Sequence, residues 1–193
     1  MAPDATAYDV STREGFLLRA IETTDRRIPP KYRQAMASHG DVTAWCENYA
    51  PDSPSLLILG VTGAGKTYQA YGAIRSLAAR GVTTEFGAIR APDLYARLRP
   101  RDGIDSEAEF RSWADVPLLL LDDLGAAKNS EWTEEVNYRL IGHRYDAMQP
   151  CLITSNVPTG QLKGMLGDRV ASRLREMCKF VVLDGPDRRK ALR

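Results

Sequence analysis

The chain has 193 residues and a formal net charge of +1; this length suits one domain with its own core, and the charge gives no whole-chain pull toward nucleic acid or a membrane surface. Hydrophobic residues make up 44% and charged residues 26%, ordinary for a globular protein, and no apolar run approaches the roughly 18 residues of a membrane span. Cys46, Cys151 and Cys178 lack C-x-x-C spacing, which argues against a disulfide framework or zinc site and, with no signal-peptide pattern at the N-terminus, leads to an expected cytoplasmic location and no membrane partner.

Residues 1–12 read as a polar tail. Phe16, Leu17, Ala20 and Ile21 then recur at helical spacing in REGFLLRAIETTDRR, and Pro29-Pro30 end that pattern. DVTAWCENYA predicts a short helix, and PDSP a turn into the first strand, SLLIL. A helix is expected from about Gly65 to Arg80, then a strand at VTTEFGAI. APDLYARLRP and DSEAEFRSWA follow as helical patterns, the second opened by an Asp/Ser cap with acids in its first turn. PLLLLDD is the third strand, SEWTEEVNYRLIGHRYDAM a long helix and PCLITSN the fourth strand. TGQLKGML and DRVASRLREM are helical, and KFVVLDG is the fifth strand. Continuous apolar strands alternating with helices predict an α/β fold with a parallel sheet covered on both faces.

Between the first strand and its helix lies GVTGAGKT, which matches G-x-x-x-x-G-K-[ST]. Its glycines let the backbone curl so that N–H groups face a phosphate, and the helix adds its positive N-terminus. Gly60, Val61, Thr62, Gly63, Ala64, Gly65, Lys66 and Thr67, with Tyr68 behind them, form the expected nucleotide-contacting stretch. Lys66 would reach the β- and γ-phosphates and Thr67 would hold Mg²⁺. At the end of the third strand Asp122 can serve Mg²⁺ and Asp123 can polarise an attacking water. With no N-K-x-D motif for reading guanine, the expected cofactors are ATP and Mg²⁺. Asn156 ends the fourth strand, on the sheet edge where ligands of parallel sheets bind, and can orient that water. Thr154, Ser155 and Asn156 equally suit a helix cap before Val157-Pro158. Arg169 and Arg173 stand four apart on one helix face; they can pair with nearby acids, or one can act on the γ-phosphate of a neighbouring subunit.

In this order and spacing, RIPPKYRQA, GVTGAGKT, LLLLDDLG, RYDAMQPCLITSN and LGDRVASRL resemble the AAA+ ATPases. Within that family the chain is most similar to the DnaC-type helicase loaders and the related IstB-type transposition ATPases. The resemblance implies a P-loop NTPase three-layer αβα sandwich with a five-stranded parallel sheet and no C-terminal helical lid. It implies an N-terminal tail and short helix over 1–25, an ATPase domain over 26–186 and a basic tail over 187–193. Gly60–Thr67 become Walker A, Asp122 and Asp123 Walker B, Asn156 sensor 1 and Arg173 the arginine finger, with Arg169 in the same interface motif. Ile28 and Tyr32 become candidate adenine contacts. An insertion after the second strand would face single-stranded DNA, with Arg97, Arg99 and Arg101 on its phosphates and Tyr95 stacking on a base.

The expected function is therefore an ATP-hydrolysing DNA-replication protein that assembles head-to-tail into a ring or spiral on single-stranded DNA and acts on a replicative helicase. The loaders' N-terminal helicase-gripping domain has no counterpart in the short stretch before the first strand, which leaves the Phe16/Leu17/Ile21 face as the one docking candidate there. A transposition helper acting on duplex DNA, a P-loop small-molecule kinase and a nucleotide-gated binding module with negligible turnover are the alternatives.

Overall fold

The structure, a computed structural model, describes residues 11–82, 85–103 and 105–184. Five strands, β1 (Ser55–Gly60), β2 (Phe86–Arg90), β3 (Leu118–Leu124), β4 (Cys151–Ser155) and β5 (Cys178–Leu183), form one sheet in the order β2-β3-β4-β1-β5. Every pairing is parallel. The expected fold class, a P-loop NTPase parallel sheet with flanking helices, is the one observed. Val82 and Glu85, expected in the second strand, lie outside β2; Thr83, Thr84 and the basic segment 187–193 lie outside the described residues.

Two units divide the chain: Met1–Tyr49 with Tyr68–Thr84, and Ala50–Thr67 with Glu85–Arg193. The first contains α1 (Arg13–Arg27), α2 (Gly40–Glu47) and most of α3 (Lys66–Ala79). Thr12 caps α1 by accepting from the Gly15 amide, as a threonine at that position should. Asp25 holds Arg75 through Nε and Nη2, at 2.9 and 3.3 Å. Gln69 Oε1 accepts from the amides of Ser38 and His39 at 3.0 and 3.1 Å, and the Tyr32 ring stacks on Tyr71 with centroids 4.8 Å apart.

The second unit holds the sheet with α4 (Ala91–Leu98), α5 (Ser106–Ala114), α6 (Glu131–Asp146), α7 (Leu162–Leu166) and α8 (Asp168–Met177). On one face Leu57, Leu59, Leu119, Leu121 and Ile153 join Leu94, Leu140, Leu166 and Leu174 of the helices in one buried cluster. Leu56, Ile58, Leu118, Leu120 and Leu152, which alternate with them, are fully buried too. Burial on both faces is why these strands read as unbroken apolar runs.

Arg144 on α6 is the largest side chain with no solvent exposure at all. Nη1 donates to Ala114 O at 3.0 Å and Val116 O at 2.8 Å, and Nη2 to Pro117 O at 3.3 Å and Pro150 O at 2.7 Å. Nε points to Cys151 Sγ at 2.9 Å. The guanidinium thus ties the end of α5 to the entrances of β3 and β4, and none of these acceptors is a carboxylate.

Candidate nucleotide site

The sequence folds locally as the phosphate-loop reading requires. β1 ends at Gly60, the chain turns over Val61–Gly65, and α3 starts at Lys66. Gly63 and Gly65 have φ of 83° and 98°, a left-handed region open to glycine at little cost. Val61 and Thr62 lie at the surface, whereas Ala64 and Lys66 are buried. The Lys66 ammonium donates to Gly60 O at 2.9 Å, to Val61 O at 3.0 Å and to Asn156 Oδ1. Two residues expected at the site, 90 positions apart in sequence, are therefore in direct contact, because β4 lies beside β1 and both end at the same edge.

Thr67 Oγ1 donates to Asp122 Oδ1 at 2.9 Å. The same carboxylate oxygen accepts from Thr154 Oγ1 at 2.6 Å, and Thr154 in turn accepts from the Asp123 amide at 2.9 Å. Thr154 thus fixes the Asp122 carboxylate, a contact the sequence reading passed over in favour of Asn156; a threonine directly after the apolar run Cys151–Ile153 is the signal it left. The β3–β4 pairing shifts register between Leu121 and Leu124, and Asp123 has φ 58°. This irregularity separates the two acids: Asp122 stays in the sheet, while Asp123 places Oδ2 3.8 Å from Arg90 Nε. Thr67 and Asp122 offer hard oxygen donors of the kind Mg²⁺ takes, so the residues fit the expected ion.

Burial raises the Asp122 pKa above the usual carboxylate value, against the hydrogen bonds from Thr154 and Thr67 and with a smaller push from the Asp123 charge. A raised folded-state pKa means that the folded chain holds this proton more tightly than the unfolded one. The associated stability is full below the unfolded value of about 3.9 and is lost as pH rises through the raised value. Asp122→Asn removes the titration. Its Tm should exceed that of the wild type at about pH 8, with the gap closing toward about pH 4, where both side chains are neutral; thermal melts across that range check it.

α8 carries Arg169 and Arg173. Arg169 is exposed, with its guanidinium carbon 5.5 Å from the Tyr138 ring centroid. Arg173 lies over Tyr138 at 4.7 Å and Tyr145 at 5.9 Å, both on α6. The candidate adenine contacts belong to the first unit, where Ile28 is buried and Tyr32 is stacked on Tyr71. Tyr68 also counts with that unit, its hydroxyl donating to Gln34 O at 3.2 Å.

Tyr95 corrects the sequence reading. It is 5% exposed and its hydroxyl donates to Asn137 Oδ1 at 2.8 Å, so its ring is largely core and shows only a small part of itself to the adjoining cleft. Ala91, Leu94, Tyr95 and Leu98 form the buried stripe of α4, and helical spacing puts an aromatic at that position into the core. Arg97, Arg99 and Arg101 are exposed. Arg97 pairs with Glu109 at 3.4 Å, and Arg101 Nη2 donates to Arg97 O at 3.4 Å. Arg99 instead lines a cleft of about 510 Å³ with Pro92, Lys128, Asn129, Ser130 and Thr133. Lys128, another residue the sequence reading missed, brings a second cation there beside the N-terminus of α6, which Ser130 caps.

Residues 34–191 match the family of IstB-like ATP-binding proteins. The replicative helicase loader DnaC of Escherichia coli K12 is 22% identical over 134 residues, 68% of this chain and 54% of DnaC; the chain spans about half the length of the curated relatives it matches. A crystal structure of the DnaC helicase loader superposes with a TM-score of 0.72 at 23% identity, covering 81% of this chain and all of that one. The replication initiator DnaA bound to AMPPCP and single-stranded DNA gives 0.65 at 21% identity, covering 82% of this chain and 51% of that one. At these identities the structural likenesses establish the fold. Among the described residues no helix is long and apolar enough to cross a membrane.

Proposed function

The chain belongs to the family of IstB-like ATP-binding proteins, and on that premise we propose that it hydrolyses ATP as a DNA-replication protein, a loader-like factor that assembles on single-stranded DNA and acts on a replicative helicase. What carries the reading is the convergence of Lys66, Thr67, Asp122 and Asn156 at the ends of β1, β3 and β4. In this reading the phosphates draw Lys66 away from Gly60 O and Val61 O. Thr67 and Asp122 would hold Mg²⁺, which would supply positive charge against the phosphates being separated. Asp123, released from Arg90, polarises the attacking water, and Asn156 orients it. Arg173 of a second copy completes the site. ATPase assays with and without single-stranded DNA test the proposal: stimulation lost in Lys66→Ala and Asp122→Ala supports it, and hydrolysis unaffected by either substitution overturns it.

The DNA contact rests on Arg99 and Lys128, two exposed cations lining one cleft. Replacing both by alanine should weaken single-strand binding across sequences and flatten the log–log salt dependence by about 1.4, the value for two phosphate contacts on single strands. Fluorescence anisotropy in a salt series reads it. The family match itself favours a second reading, a transposition helper. Stimulation by duplex rather than single-stranded DNA separates the two.

A further inference from the structure

Arg173 sits in a shaped seat on α6. Its Nη1 is buried without a hydrogen-bond partner, an uncommon condition for a cationic donor. Three residues one helical turn apart receive it: Tyr138 and Tyr145 present their rings, and Gly142 lies between them. A Cβ on Gly142 would come within 2.9 Å of Nη1 and 3.4 Å of the guanidinium carbon, so any larger residue there would push the end of the Arg173 side chain off the helix. Tyr145 is itself fixed, its hydroxyl donating to Glu176 Oε2 at 2.7 Å. Hydrogen bonding from Arg173, then the charges of Arg173 and Arg169, hold the Tyr138 phenol below its usual pKa.

We infer that Tyr138, Gly142 and Tyr145 are positioning residues that park Arg173 on its own subunit until a phosphate of a neighbouring copy's nucleotide draws it out. The inference rests on the reading of Arg173 as a group acting across a subunit interface. The chemistry favours release: the parked guanidinium keeps a cation–π attraction and a hydrogen bond to the Tyr138 phenol but leaves Nη1 unmatched, whereas a phosphate oxygen supplies the missing acceptor and a full negative charge. The seat thus sets how much protein and nucleotide are needed before sites become shared.

Removing the ring with Tyr138→Leu should lower the protein concentration giving half-maximal ATPase by about two- to fivefold, the range of an exposed cation–π contact. Gly142→Ala, which crowds Arg173 off the helix, should shift it the same way. Tyr138→Phe keeps the ring but loses the hydroxyl that Arg173 hydrogen-bonds, and should fall between Tyr138→Leu and the wild type. A separate readout follows the ring itself: in protein carrying 3-fluorotyrosine, the ¹⁹F signal lost in Tyr138→Phe is that of Tyr138. It should move when a non-hydrolysable ATP analogue is added at assembling concentration, and should not move in Arg173→Ala. An unmoved signal, or a half-maximal concentration unchanged or raised in Tyr138→Leu, overturns the seat while mixed Lys66→Ala and Arg173→Ala proteins still regain activity. A mixture that stays inactive overturns the shared-site reading, and the seat with it.

Discussion

Arg173→Ala is expected to lower the ATPase rate of the assembled protein by about 10³–10⁵-fold, and mixing it with Lys66→Ala is expected to bring activity back. In the proposed reading the first effect has the size of an arginine finger because the guanidinium would meet charge that develops only as the γ-phosphoryl leaves. ATP affinity, which depends on Lys66 and the loop amides, should change far less. The second effect tests geometry. In a head-to-tail assembly of equal parts, roughly a quarter of interfaces pair an intact Lys66 with an intact Arg173, so about that share of wild-type activity should return. Within a single chain Arg173 rests against Tyr138 and Tyr145. A monomeric site that needed it would give a mixture as inactive as its parts. Steady-state ATPase on the two variants, alone and combined, decides.

The second large effect concerns stability. Arg144→Leu should destabilise the fold by about 3–5 kcal/mol, because several buried carbonyls lose their donor together. The substitution keeps apolar volume but leaves Ala114, Val116, Pro117 and Pro150 carbonyls without their donor, and a buried acceptor left unmatched costs about 1–3 kcal/mol. For a chain of this size the loss corresponds to a fall in Tm of roughly 6–20 °C. Urea denaturation gives the free energy and calorimetry the temperature. A shift under about 1 kcal/mol would mean that water replaces the guanidinium at those carbonyls.

Much of the site was legible because its chemistry is written in consecutive residues. GVTGAGKT carries its own turn, and LLLLDD announces a strand buried on both faces that ends in acids. What joins them was not legible. Asp122 meets Thr67 and Thr154 across 55 and 32 positions, and such meetings depend on β3 pairing with β4, and β4 with β1, which no local pattern specifies. Tyr95 misled for the opposite reason. It stood beside arginines in sequence, which favoured a nucleic-acid role, while its spacing with Leu94 and Leu98 already marked a core position. Arg144 and Arg139 occupy one helix and look alike in sequence; one is fully buried and the other pairs with Glu107 at 2.6 Å in the open. Only the neighbouring strand entrances distinguish them.

The contacts of Lys66 carry one more consequence. Its ammonium is ringed by Gly60 O, Val61 O and Asn156 Oδ1. If Lys66 takes a nucleotide phosphate as proposed, capture would be a trade of oxygens, not the filling of a bare positive hole. An incoming group succeeds to the degree that it outbids three acceptors at once, which a chain of phosphates does readily and a lone carboxylate or chloride does poorly.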